Sequence, residues 1–146
     1  MDFKECVRRS YLRRIEPQPE LGRLNLAKAR SFLEPARKNL NMGIHDGAPV
    51  MAYLAFFHAA RALLFRDGWR EKTHACISAY LREFYVKPGI LEVKWVRYLD
   101  YVRNLRHQAQ YDVGFSPEPE EVEAIIPKAE AFIEVVENIL GGETDG

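Results

Sequence analysis

Apolar residues along this chain recur at helical spacing, in five stretches separated by Pro, Gly and polar turns. The first, over residues 21–41, carries Leu24, Leu26, Ala27, Phe32 and Leu33; Pro35 inside it removes a backbone donor and predicts a kink or a restart. Gly43 ends it, and Asp46 is placed to cap a second helix over 48–66, with Pro49 in the first turn where its missing N–H costs nothing. That second helix is apolar nearly all round, the mark of a helix surrounded by others or shared with a second subunit. Asp67-Gly68 stops it. Thr73 caps a third helix over 74–85, carrying Ile77, Tyr80, Leu81 and Phe84, and Pro88-Gly89 breaks it from a fourth over 90–110. Ser116-Pro117 opens the fifth, whose stripe is Val122, Ile125, Ile126, Ala129, Phe132, Val136 and Ile139; Pro127 within it predicts a bend. No β-branched alternation appears. The pattern predicts one all-α domain over residues 1–146, an up-and-down bundle of four to five helices. Its core is expected over 20–140, with a basic leader over 1–18 and a disordered tail over 141–146.

Charge changes this picture more than composition does. The chain has 47% hydrophobic and 29% charged residues and a net charge of +0, ordinary for a globular domain. The balance conceals a gradient: residues 1–40 carry +5, residues 41–115 carry +3 and residues 116–146 carry −8. Such a chain can bind an anion on one face, pair head to tail with a copy or partner, or pack its acidic last helix against its own basic start. Cys6 and Cys76 lack metal-type or redox-type spacing and are expected to be reduced, as in a cytoplasmic protein. The longest run without Asp, Glu, Lys or Arg, residues 47–60, is too short for a bilayer of about 30 Å, and the N-terminus lacks a signal-peptide core. Neither a membrane nor an export signal is therefore expected.

Candidate chemistry is concentrated in one segment. A Gly-rich phosphate loop, an HExxH motif and zinc spacing are all missing, and His74 and Cys76, two apart on a helix, diverge, so no metal is expected. His45 reads as a solvated turn residue. His58, on the apolar second helix, reads as a core histidine with a backbone or Tyr partner, or as one facing a cleft. Residues 103–112, at the end of the fourth helix, pack together Arg103, Asn104, Arg106, His107, Gln108, Gln110 and Tyr111. At about 100° per residue, Leu91, Trp95, Leu99, Val102 and Ala109 share one stripe and Arg106 falls in its middle. A guanidinium there needs a carboxylate from another helix or a solvated cleft. Arg103, Arg106 and His107 are suited to phosphate. Metal-independent RNA cleavage needs a base, an acid and cations for the developing charge, and a two-fold axis beside this helix would double the set to two Arg106 and two Tyr111.

A resemblance emerges from four pieces taken together. The helix Ala52-Tyr53-Leu54-Ala55-Phe56-Phe57-His58-Ala59-Ala60-Arg61-Ala62-Leu63-Leu64, the element Lys72-Thr73-His74, the run from Leu81 to Gly89 and the element Arg106-His107-Gln108-Ala109-Gln110-Tyr111 resemble HEPN-domain proteins (higher eukaryotes and prokaryotes nucleotide-binding) over residues 22–140. The resemblance implies a helical bundle that dimerises. It also implies either an RNA-cleaving toxin or defence nuclease with an Arg-x(4–6)-His motif, or a non-catalytic companion of a minimal nucleotidyltransferase. Carried over by position, the motif arginine is Arg106, and Tyr111 stands where nuclease members have His. The chain departs from the subgroup pattern at Met51, Leu54 and Gln110. The expectation is a homodimer that binds RNA or a nucleotide, in a toxin–antitoxin-like or defence setting and without a cofactor. Arg106, Tyr111 and His107 are the candidate catalytic residues, and Arg103, Asn104, Arg106, Tyr53 and His58 the candidate binding residues. An interaction module partnering a nucleotidyltransferase-type protein, and a metal-independent endoribonuclease, are the alternatives.

Overall fold

The computed structural model describes residues 1–144, with side chains as far as Gly141. Seven helices and two short strands follow in chain order: α1 (Phe3–Arg8), β1 (Leu12–Arg14), α2 (Pro19–Ser31), α3 (Leu33–Asn41), α4 (Gly47–Asp67), β2 (Trp69–Glu71), α5 (His74–Leu81), α6 (Val93–Tyr111) and α7 (Pro119–Thr144). A single π-helical turn, Arg82–Val86, prolongs α5. The bundle expected from the sequence is present. α4 is its axis, with α2, α3, α6 and α7 packed around it. Alanines make that possible: Ala48, Ala55, Ala59, Ala60 and Ala62 are fully buried and let neighbouring backbones come close. A Cβ on Gly22 of α2 would lie 2.8 Å from the Ala62 carbonyl oxygen, so the α2–α4 crossing is tight enough to require glycine. α4 has the length and composition of a membrane span, although its longest charge-free run is short; 72% of that window is buried inside the protein.

Several local expectations resolve in detail. The first predicted helix is two: Phe32 breaks it, its N–H bonding back to Ala29 and Arg30 carbonyls, and Pro35 sits in the first turn of α3. Pro35 thus marks a restart rather than a kink. Asp46 does not cap α4; its own backbone is already helical and its side chain makes no cap hydrogen bond. Gly68 ends α4 as predicted, in the left-handed region at φ 87°. The predicted stripe of α7 is buried as far as Val136, with Ile133 added to it. The tail expected to be disordered from residue 141 continues as helix to Thr144, and residues 145–146 lie outside the described residues.

The basic leader is structured. β1 pairs antiparallel with β2, Leu12 opposite Glu71, Arg13 opposite Arg70 and Arg14 opposite Trp69. Three residues per strand are too few to show alternation, which is why the pattern missed them. The leader is fixed at both ends. Ile15 N–H donates to the Gly68 carbonyl at 2.9 Å, and Lys72 N–H to the Tyr11 carbonyl at 2.8 Å. A Cβ on Gly68 would lie 2.8 Å from the Ile15 carbonyl oxygen, so the residue that stops α4 also admits the leader. The expectation of reduced cysteines is corrected: Cys6 of α1 and Cys76 of α5 form a disulfide, and both are fully buried. α1 lies on α5 and brings the two Cα atoms to 5.9 Å, a proximity that sequence spacing cannot report. The charge gradient is met within the chain, where Arg30 of α2 bonds Glu137 and Arg37 of α3 bonds Glu130, both on α7.

Candidate nucleic-acid interface

The start of α5 and the last turns of α6 converge on one side of α4. Tyr53 and Phe57, one turn apart on α4, are 2% and 8% exposed and form the floor. His74 opens α5 above them, its Nδ1 2.7 Å from the Tyr53 hydroxyl and its ring 4.3 Å from that of Phe57. From α6, Arg106 lays its guanidinium over the Tyr53 ring at 4.8 Å and donates from Nη1 to Gln110 Oε1 at 2.9 Å. Arg106 Nε is buried without a hydrogen-bond partner among the described residues. One turn back, Arg103 approaches Asp100 at 3.2 Å. One turn along α4, Arg61 stacks on Phe57 at 5.1 Å and pairs with Glu71 at 2.5 Å.

Electrostatics follow from this crowding. Burial pushes the His74 pKa down, and the Arg106, Arg103 and Arg61 guanidiniums push the same way, so the imidazole is neutral near pH 7. Burial pushes the Tyr53 phenol up to about 12 although Arg106 and Arg103 pull it back. The phenol therefore keeps its proton. When it donates to Nδ1, Nε2 carries the imidazole proton and can offer it to an anion. Carboxylates do not balance the cations. Asp100 is shared by Ser78, Arg82 and Arg103, and Glu71 is taken by Arg61, its own pKa raised by burial against that partner. A surplus of half-buried guanidiniums over an aromatic floor is the chemistry of a phosphate site.

The candidate residues named from the sequence do not share one place. Arg103, Arg106 and Tyr53 come together here. Arg106 is half-buried at the edge of the buried stripe rather than in its middle, because that stripe runs through Val96, Leu99, Val102 and Leu105, while Trp95 and Ala109 are half-buried. Asn104 is exposed on the outer side of α6. The His107 and Tyr111 rings meet at a tilt, 4.9 Å between centroids, and are exposed, Tyr111 at 63%. α6 stays helical through Tyr111, so Arg106 and Tyr111 point apart within one chain. His58 faces α2. It lies 3.3 Å from Asn25 Oδ1 and is stacked on Phe32, and burial, then Arg61 and Lys28, push its pKa down to about 4. Sequence reasoning passed over His74, Phe57, Arg61 and Gln110. The available signals were the Lys72-Thr73-His74 element and the i, i+4, i+8 spacing of Tyr53, Phe57 and Arg61.

Comparison with known proteins agrees with this architecture. Two Methanocaldococcus jannaschii proteins are similar along nearly their whole length. "Putative toxin MJ0605" is 28% identical over 138 residues, covering 94% of this chain and 97% of the relative. "Putative toxin MJ0142" is 28% identical over 132 residues, covering 86% and 89%. A UPF0332 protein of Archaeoglobus fulgidus is 27% identical over 117 residues, covering 80% and 93%. The family model described as HEPN domain matches residues 23–139, from within α2 to the greater part of α7. With that match over most of its length, the chain belongs to the HEPN domain family.

Proposed function

We propose that this protein binds RNA, as a homodimer, through the basic cluster of Tyr53, His74, Arg103 and Arg106, and that it acts in a toxin–antitoxin-like setting. The observation that carries the reading is Arg106: its guanidinium sits over Tyr53, with Nε buried and unbonded beside a neutral His74. Phosphate oxygens supply the acceptors this arrangement lacks. Two relatives that carry the name "Putative toxin" support the setting. A second copy of the chain would bring the exposed His107–Tyr111 pair of its own α6 to a cleft that one copy cannot complete.

Titration of a fluorescently labelled oligoribonucleotide tests binding. Affinity should fall steeply with salt, and Arg103→Ala with Arg106→Ala should flatten the slope. An unchanged slope removes the cluster from RNA binding and favours the interaction module that partners a nucleotidyltransferase-type protein. Elution as a strict monomer at micromolar concentration removes the composite cleft.

One observation favours cleavage as a second reading. In the tautomer whose Nδ1–H donates to the Tyr53 oxygen, Nε2 of the neutral His74 is free to take the 2′-hydroxyl proton. The Tyr53 hydroxyl can protonate the 5′-oxygen as its bond to phosphorus breaks, and Arg106 balances the developing charge, without a metal. RNA incubated with chelator should then be cut by the wild type and spared by His74→Ala and Arg106→Ala. Equal background cleavage by all three eliminates it.

A further inference from the structure

The N-terminal leader precedes the region matched to the family and builds half of a basic ribbon. Arg13 of β1 stands directly opposite Arg70 of β2, and both are exposed. Like charges in that relation destabilise a strand pair unless something neutralises them. Neither arginine forms an ion pair among the described residues. Of the nearby carboxylates, exposed Glu16 forms no ion pair among the described residues, Glu71 feels Arg70 but is bonded to Arg61, and the others are committed elsewhere. Glu5 holds Arg8 and Arg9, and Asp67 accepts from Tyr80 and Tyr85. Exposed Lys72 follows β2, and Arg14 lies over the Trp69 ring at 5.1 Å.

We propose that the β1–β2 ribbon is a second phosphate-binding surface, one that holds the backbone of a single-stranded RNA running on from the Tyr53–His74–Arg106 cluster. This rests on the RNA-binding reading of that cluster. Continuity favours RNA as the occupant: Arg70 on β2, exposed Lys72 in the bend that follows it and His74 at the start of α5 lead along the chain from the ribbon to the cluster. Four residues reach at most about 13 Å, so no more than roughly four stacked nucleotides separate the two surfaces. A strand of RNA carries negative charge along that whole path. The disulfide and the Tyr11–Lys72 backbone bond hold the ribbon in place before any ligand arrives, so ordering it on binding costs little.

The test compares labelled oligouridylates of about two and about sixteen nucleotides on the full chain. Arg13→Gln with Arg70→Gln should weaken the long oligomer about tenfold and lower its log–log salt slope by about 1.4, roughly 0.7 for each single-strand phosphate that is no longer neutralised. The short oligomer, which reaches only the cluster, should bind as before. Arg13→Lys with Arg70→Lys should restore most of the slope, because the slope counts charge; a merely structural role would not follow charge in this way. Unchanged binding of the long oligomer by the Gln variant, while Arg103→Ala with Arg106→Ala loses both lengths, overturns the ribbon and leaves the cluster standing. Failure of the wild type to bind either length overturns both. Displacement of the long oligomer by polyglutamate at equal charge concentration assigns the ribbon to an acidic polypeptide and overturns RNA as its occupant.

Discussion

Two clusters of tyrosine and arginine lie at opposite ends of α5, and they are built on opposite principles. At the far end, Asp67 accepts from Tyr80 at 2.6 Å and Tyr85 at 2.5 Å, while Arg66 reaches both Asp67 at 3.1 Å and the Tyr85 hydroxyl at 2.7 Å. Burial and the neighbouring carboxylate push both phenols far up, so they remain donors. Each acceptor there has donors and the arginine has its carboxylate. At the near end, Tyr53, His74, Arg103 and Arg106 share no carboxylate of their own, and Asp100 is divided among three donors. The same residue types make a structural brace where charge is closed and a receptive surface where it is left open.

The largest perturbation removes the frame common to both. Cys76 lies on α5 between the clusters, and Cys6→Ala with Cys76→Ala should lower unfolding stability by about 4 kcal/mol in guanidinium titrations, on the chain-entropy view of a long closed loop. Loss of RNA binding with stability unmoved would break the idea of a shared frame. Next, Asp67→Asn should cost about 3 kcal/mol, because two buried phenols and a guanidinium lose their anionic acceptor, and should leave RNA affinity alone. The reverse outcome would exchange the roles of the two clusters.

Smaller effects sharpen the contrast. Arg106→Ala should weaken RNA binding by at least about tenfold yet shift stability by no more than about 0.5 kcal/mol, since it removes a cation from a crowd of cations. Tyr53→Phe should cost about 1 kcal/mol through its bond to His74. The smallest concerns pH. His58 is held neutral, with its folded pKa down at about 4 against an unfolded value near 6.5, so the unfolded chain binds more protons in between. Melting temperature should decline as pH drops from about 6.5 toward 4, and should decline less in His58→Gln. Equal decline in both would assign the pH dependence to His74, whose pKa shifts in the same direction.

The bundle was legible because helical periodicity and Pro/Gly breaks are local signals; Gly68, Pro88-Gly89 and the α7 stripe needed no tertiary information. What the pattern missed depends on partners distant in the chain. β1 and β2 find each other across three helices, and Cys6 meets Cys76 only once α1 lies on α5. Half of the candidate cluster was legible by the same logic. Arg103, Arg106 and Tyr53 stood out as charge or signature, whereas His74 gained its place only through a hydrogen bond between two helices. Arg106 was misplaced by one stripe position because the buried face follows an i, i+3 ridge from Val96 to Leu105 rather than the 100° average.

Gly68 has a consequence for the order in which the molecule assembles. Its backbone must adopt the left-handed turn that ends α4 before Ile15 can dock on its carbonyl and before β1 can align with Trp69. Helical contacts within α2 to α4 are local in sequence and close quickly, whereas the ribbon joins segments that bracket all three helices, a closure that slows with contact order. The α2–α4 platform should therefore form first and the ribbon dock on it afterwards. A nascent chain stalled before residue 68 would hold a basic leader with nothing yet to fasten it.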